Sequence, residues 1–116
     1  MMRTNFMMVD QYITMVRGDT LSFGVEIEDQ FGKPLDIDDA YFTCKKSYQD
    51  EVGVFQKSMD SGITRASAGK YRVRIAPDDT EDIEVGKYFY DFQIRKNGDV
   101  FTIMRGVLDV EYNVTN

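Results

Sequence analysis

Alternating apolar and polar residues in the last third of the chain limit its fold more than any other feature. The segment from Gly86 to Ile94, Gly-Lys-Tyr-Phe-Tyr-Asp-Phe-Gln-Ile, has a period of two. Alternate side chains of an extended chain share a face. One face would then carry Tyr88, Tyr90, Phe92 and Ile94, and the other Phe89, Asp91, Gln93 and Arg95. We therefore predict a central β-strand that ends at the Asn97-Gly98 hairpin turn.

Similar alternation, interrupted by turn residues, recurs along the rest of the sequence. It predicts further strands at residues 12–16, 20–29, 40–47, 54–57, 62–65, 69–76 and 99–112. Pro77 and the acids that follow it favour one helical turn at 77–82. A calcium loop is the alternative there, but the ligand spacing of an EF-hand is missing. In the last strand the apolar residues change parity, which predicts a β-bulge at Arg105-Gly106.

About seven short strands without a long helix predict an all-β fold, an immunoglobulin-like antiparallel β-sandwich. The sandwich domain is predicted at residues 12–112, after an N-terminal arm at 1–11 and before a tail at 113–116. Tyr88 lies where it can form a tyrosine corner, a hydroxyl bonded to upstream backbone.

The pattern also predicts which strands are neighbours. We expect strand 20–29 beside 69–76, and strands 40–47 and 99–112 in the sheet of strand 86–96. Outward Glu26 and Glu28 would then face Arg72 and Arg74, since opposite charges across neighbouring strands are favourable.

Composition argues against several classes of function. The net charge of −6 disfavours nucleic-acid binding, which needs an excess of clustered Lys and Arg. The chain has no histidine and only one cysteine, Cys44, which removes the commonest general base and disfavours a zinc site. We expect no enzyme activity, no cofactor, no metal, and a buried thiol at Cys44. No segment approaches the about 18–20 apolar residues of a membrane span, and the N-terminus lacks the features of a signal peptide.

Two groups of apolar residues are candidates for a protein interface. Outward aromatic residues on the predicted sheet, Tyr41 and Phe89, are one group, because aromatic residues are enriched in interface cores. The other is an N-terminal cluster of Phe6, Met7, Met8 and Val9, either a frayed terminus or an arm that orders on a neighbouring subunit. A carbohydrate-stacking platform of Tyr41, Tyr48 and Phe89 is the competing interpretation. The Arg-Gly-Asp sequence at 17–19 is more typical of a turn than of an adhesion motif.

Three segments, in this order, resemble a known family. They are Ile13-Thr-Met-Val-Arg-Gly-Asp-Thr-Leu-Ser-Phe23, Gly69-Lys-Tyr-Arg-Val-Arg-Ile-Ala-Pro-Asp-Asp-Thr80 and Gly86-Lys-Tyr-Phe-Tyr-Asp-Phe-Gln-Ile94. In this order they resemble small immunoglobulin-like domains of tailed-phage and prophage structural proteins, and the resemblance extends over roughly residues 12–112. The N-terminal domain of baseplate upper proteins is similar.

This resemblance implies a non-enzymatic virion protein, assembled in the cytoplasm of a bacterial host, that docks on tail, baseplate or capsid proteins. A homo-oligomer is a further expectation, with neither nucleic acid nor membrane as a partner. In the baseplate proteins more chain follows the domain. The end of the present sequence therefore keeps a stand-alone adaptor, a head–tail accessory and a capsid decoration protein open. A carbohydrate-binding or host-surface adhesion module is the alternative function.

Overall fold

The computed structural model describes residues 2–4 and 8–114 of the chain. Within these residues it has ten β-strands and one short helix. They are β1 (Met2–Thr4), β2 (Val9–Asp10), β3 (Ile13–Val16), β4 (Leu21–Ile27), β5 (Asp39–Lys45), β6 (Phe55–Met59), β7 (Gly62–Ser67), β8 (Lys70–Ile75), α1 (Pro77–Thr80), β9 (Gly86–Lys96) and β10 (Asp99–Glu111). The all-β class is confirmed, and the short helix falls where Pro77 predicted one.

Hydrogen bonds join these strands into one sheet, in the order β1-β4-β8-β7-β6-β5-β9-β10-β2, with β3 also on β10. The predicted neighbours are confirmed: β4 pairs with β8, and β9 pairs with both β5 and β10. Inside the predicted N-terminal arm, β1 lies along β4 and β2 along β10, both in parallel orientation. The division of the chain at residue 12 stays a prediction.

The sheet curls so that its inner face closes on itself. β6 and β7 share only the pairs Ser58–Gly62 and Met59–Ile63, and the link between them bends through positive φ at Asp60 and Gly62. Phe23 of β4 contacts Phe42 of β5 edge-to-face, with 5.8 Å between ring centroids, although these strands are far apart in the sheet order. The strands are thus hydrogen-bonded as one curled sheet, and the two-sheet immunoglobulin arrangement stays a prediction.

Phe42 lies at the centre of the enclosed core. Its ring is stacked on Tyr90 at 5.0 Å and meets Phe92 edge-on at 6.4 Å. The predicted inward face of β9 is confirmed, because its members are at most 3% exposed: Tyr88, Tyr90, Phe92 and Ile94. Cys44 is fully buried, as predicted, and burial raises the pKa of its thiol to about 12.

The predicted β-bulge exists but lies two residues earlier than expected. The pairing of β10 with β9 shifts register between Thr102 and Met104, so Ile103 and Met104 are both buried. The prediction at Arg105-Gly106 was wrong because a glycine inside a strand marks either a bulge or a close approach of another backbone segment. At Gly106 the glycine marks a close approach of another backbone segment, as described below.

The predicted charge pairs across β4 and β8 were wrong by several residues. Arg72 lies opposite Gly24 and Arg74 opposite Ser22, whereas Glu26 lies opposite Lys70 and its carboxylate is 3.8 Å from the Lys70 ammonium. The register of these strands follows the apolar rows, such as Phe23 opposite Val73. Burial of these apolar side chains stabilises the pairing more than exposed ion pairs can.

Three polar contacts fix the segment that leads into β9. The Tyr88 hydroxyl donates to the Glu84 carbonyl at 2.6 Å, which confirms the predicted bond to upstream backbone. On α1, the Asp79 carboxylate accepts from the Ala76 amide at 2.7 Å and from the Lys57 ammonium at 2.5 Å. These contacts tie the helical turn to β6.

Candidate functional site

The outward face of β9 is the part of the sheet that carries the predicted interface residues. Its side chains lie in rows with those of β5 and β10: Lys45–Phe89–Val107, then Thr43–Asp91–Arg105, then Tyr41–Gln93. Tyr41 and Phe89 therefore share one face, as predicted, but they are two rows apart on adjacent strands.

A groove of about 300 Å³ crosses this face around Phe89, and we call it the aromatic groove. It is lined by Met8, Thr43, Lys45, Tyr48, Phe89, Tyr90, Asp91, Thr102 and Arg105. A more open depression of about 460 Å³ adjoins it and shares Thr43, Lys45 and Asp91. The two form one continuous concave surface over β5 and β9.

The aromatic groove brings together candidates from separate parts of the sequence. Phe89 and Met8, from the two predicted groups, both line it. Tyr48, from the loop after β5, lies against Phe89 with 4.2 Å between ring centroids. Val9 lies in β2 and packs against the core. Phe6 and Met7 lie outside the described residues.

Tyr41 does not belong to this groove. Its hydroxyl donates to the Asp39 carboxylate at 3.3 Å, and the Arg95 guanidinium lies over its ring at 5.4 Å. The structure thus unites two of the three residues of the carbohydrate platform, Tyr48 and Phe89, and separates the third.

Asp91 is the acidic residue of the groove lining, beside the basic residues Lys45 and Arg105. Its carboxylate has neither a hydrogen-bond nor an ion-pair partner among the described residues. Removal from water raises the pKa of Asp91, and the nearby Lys45 charge offsets only part of this effect. The Arg105 Nε, which faces it from β10, donates to the Asp10 carboxylate at 3.3 Å. The sequence interpretation missed Asp91, although an acid between Tyr90 and Phe92 in a central strand was a visible signal.

Met8 owes its place in the groove to a latch on the next residues of the chain. The Gln11 amide donates to the Arg105 carbonyl at 3.0 Å, and the buried Tyr90 hydroxyl donates to the Gln11 carbonyl at 2.5 Å. A Cβ at Gly106 would lie 2.2 Å from the Gln11 oxygen, so only glycine lets the two backbones come this close.

The sequence interpretation also missed Phe31, an exposed aromatic residue outside the groove. Its ring is 77% exposed at the tip of the turn after β4. The Asp29 carboxylate accepts from the amides of Phe31 and Lys33 at 2.8 and 3.0 Å, which holds the turn in one shape. A fixed aromatic residue at a loop tip loses little entropy when it is buried by a partner.

Among residues 2–4 and 8–114 there is no cluster of three or more side chains suited to hold a metal ion. In the same part of the chain there is no helix long and apolar enough to cross a membrane. The Arg17 side chain of the Arg-Gly-Asp sequence donates to the Ile83 carbonyl at 3.3 Å, and the Gly18 amide donates to the Thr80 hydroxyl at 2.8 Å. This tripeptide is therefore tied into the fold.

Comparison with known proteins finds similarity among solved structures. No family model and no curated protein matches the sequence. A nucleoside hydrolase-related hypothetical protein from Saccharophagus degradans is 18% identical over 90% of this chain and 22% of that chain, but its TM-score of 0.34 is too low to indicate a common fold. The N-terminal domain of phage TP901-1 ORF48 is 15% identical, with a TM-score of 0.52, over 96% of this chain and 99% of that domain. The overall fold of this chain is therefore similar to that of a domain from a phage protein.

Proposed function

We propose that this chain is a non-enzymatic structural component of a phage or prophage particle, and that it acts by docking on other particle proteins. The observation that carries the proposal is the similarity in fold to the phage TP901-1 ORF48 domain, which extends over nearly the whole of both chains. The order of the three sequence segments, which resembles baseplate upper proteins, points to the same class independently. A tail or baseplate position is our first choice, and a capsid accessory role is the alternative.

The aromatic groove is the surface that we assign to docking. It combines aromatic side chains, a methionine and an arginine, which are residue types enriched in protein interfaces. The proposal gives the chain no catalytic role, in keeping with the lack of histidine in the sequence. Assembly would take place in the cytoplasm of the bacterial host.

Particle composition tests this function directly. Phage or prophage particles would be released from the bacterium that carries the coding sequence and purified through a density gradient. We expect the protein to co-sediment with the particles at a constant ratio to the main tail protein and to resist a high-salt wash. If the protein stays in the soluble fraction while complete particles sediment, it is not a particle component.

Carbohydrate binding is retained as a second candidate because Tyr48 and Phe89 do lie together in a groove. Against it, their rings lie against each other at 4.2 Å, so each covers part of the other's face. Binding of the isolated protein to a glycan array, lost in Tyr48→Ala, would favour this alternative over protein docking.

A further inference from the structure

We propose that the aromatic groove accepts a lysine or arginine side chain from a partner virion protein, with Asp91 as its counter-ion and Tyr48 and Phe89 as its aromatic wall. This inference rests on the proposed docking function and specifies the chemistry of the partner. It is carried by three observations: a carboxylate without a partner, an aromatic pair without a cation, and a cavity large enough for a long side chain.

The Asp91 carboxylate is the first observation. It lies half-buried on the groove floor, and among the described residues no group donates a hydrogen bond or forms an ion pair with it. The two nearest cations compensate it only in part, because Arg105 bonds to Asp10 and Lys45 acts through its charge without forming an ion pair with Asp91. A carboxylate that is partly withdrawn from water favours a cation that arrives with hydrogen-bond donors. Charge complementarity therefore selects a cationic occupant.

The aromatic pair is the second observation. Cations are attracted to the faces of aromatic rings. Four other tyrosines of this chain have a lysine or arginine of the same chain over their rings, at 4.5 to 6.0 Å: Tyr12, Tyr41, Tyr88 and Tyr112. Within residues 8–114 no cation lies over Tyr48 or Phe89, although the Tyr48 ring is 64% exposed. The groove is thus the place where a cation from outside can make the contact that the chain makes elsewhere with its own.

The size of the groove is the third observation. Its volume of about 300 Å³ is at the lower end of the range for small-molecule sites. It can therefore hold one long side chain, and the adjoining depression leaves room for the partner residues that flank it. Lysine and arginine combine a long aliphatic stem, which can lie against Met8 and Phe89, with a charged end that can reach Asp91.

Short peptides provide the probe, because they carry one side chain of known chemistry. The ¹⁵N-labelled full chain would be titrated with acetyl-Gly-Arg-Gly-amide and, separately, with acetyl-Gly-Gln-Gly-amide. We expect the arginine peptide to shift the amide signals of Tyr48, Phe89 and Asp91 saturably, with a Kd of about 1–10 mM for a single contact. The glutamine peptide should leave them unchanged.

Matched variants test whether the charge of Asp91 is the one that binds the arginine peptide. Asp91→Asn keeps the shape of the side chain and should weaken the binding of the arginine peptide about fivefold, which is the loss expected for one partly exposed ion pair. Asp82→Asn removes an equal charge from an exposed position outside the groove and should leave the Kd unchanged. The inference is overturned if neither peptide gives saturable shifts by about 20 mM, if both peptides act alike, or if the two variants behave alike.

The outcomes also separate this inference from the proposed function. Particles that contain the protein, combined with failure of the arginine peptide, would leave the function in place and refute the cationic occupant. A dimer by light scattering that dissociates in Asp91→Asn would show that the groove is occupied by a second copy of the chain, which contradicts a separate virion partner.

Discussion

Replacement of Gly106 by alanine tests the latch that holds Met8 in the aromatic groove. Alanine has the lower chain entropy in the unfolded state, so the substitution would stabilise an unhindered position by about 0.4–1 kcal/mol. At Gly106, however, the new Cβ would lie 2.2 Å from the Gln11 oxygen and 3.0 Å from its carbonyl carbon. Gln11 must move away by about 1 Å to restore ordinary contact distances.

That movement has a cost that can be assembled from the contacts. It breaks the bond from the Gln11 amide to the Arg105 carbonyl and the bond from the Tyr90 hydroxyl to the Gln11 carbonyl. Each is worth about 1 kcal/mol net, and more where a buried hydroxyl is left without a partner, as at Tyr90. After subtraction of the entropy gain, we expect Gly106→Ala to lower the free energy of unfolding by about 2–3 kcal/mol.

Urea unfolding of four proteins measures this and isolates its cause. The set is the natural sequence, Gly106→Ala, Tyr90→Phe and the double variant. Tyr90→Phe alone should cost about 1 kcal/mol. In the Gly106→Ala background it should cost nothing or stabilise the protein, because the displaced Gln11 no longer accepts from the hydroxyl and the substitution removes a buried group without a partner. Additive effects of the two substitutions, or a neutral Gly106→Ala, would refute the latch.

Four further predictions follow from other contacts. Lys57→Met should lower the free energy of unfolding, measured in urea, by about 1–3 kcal/mol, because it leaves the Asp79 carboxylate, which is 14% exposed, without its cation. Lys70→Met removes a cation from an exposed ion pair 3.8 Å long and should change the free energy of unfolding by under about 0.5 kcal/mol. Equal effects of the two substitutions would contradict this prediction. Thr80→Val should cost about 1–2 kcal/mol by leaving the Gly18 amide without an acceptor, whereas Thr64→Val on the surface should be neutral within about 0.5 kcal/mol. Cys44 should resist Ellman's reagent in the folded protein and react fully in urea, since burial raises its pKa to about 12; rapid reaction in buffer would show an open site. The pKa of Asp91, which faces Lys45 and Arg105, is raised, so ionisation of Asp91 disfavours the folded state. Asp91→Asn should therefore stabilise the protein at neutral pH, and this gain should disappear as the pH falls through the folded-state pKa of Asp91. A gain that is the same at all pH values would contradict this prediction.

The elements that sequence alone predicted well are those whose signal is local. β9 has the predicted bounds, Gly86–Lys96, because aromatic and β-branched residues alternate between a glycine and an Asn-Gly turn. The pairing of β9 with β10 also follows from that turn. Burial of Cys44 followed from its place within an apolar run.

The errors arise where two distant segments decide the outcome. Gly106 looked like a bulge because the N-terminal segment that presses on it is 95 residues away in sequence, at Gln11. The β4–β8 register was misplaced because the exposed charges of Glu26 and Arg72 contribute too little energy to fix it. Met8, Tyr48 and Phe89 were each noted, but their meeting in one groove depends on a loop and on the latch at Gln11.

Comparison of Asp91 with other carboxylates of the fold supports the assignment of the groove as a binding surface. The Arg65 guanidinium bonds to Asp36 through two nitrogens, and with the Gly69 amide it lowers the pKa of Asp36 to about 2. Asp79 likewise has an ammonium and an amide as partners. Asp91 has no such partner among the described residues, although it lies half-buried in the central strand, where a neutral side chain would serve the fold better. Residues that do not suit the local fold are expected at functional sites. A charge that the fold leaves without a partner, beside an aromatic pair that it leaves without a cation, is therefore best explained by a cation that another molecule supplies.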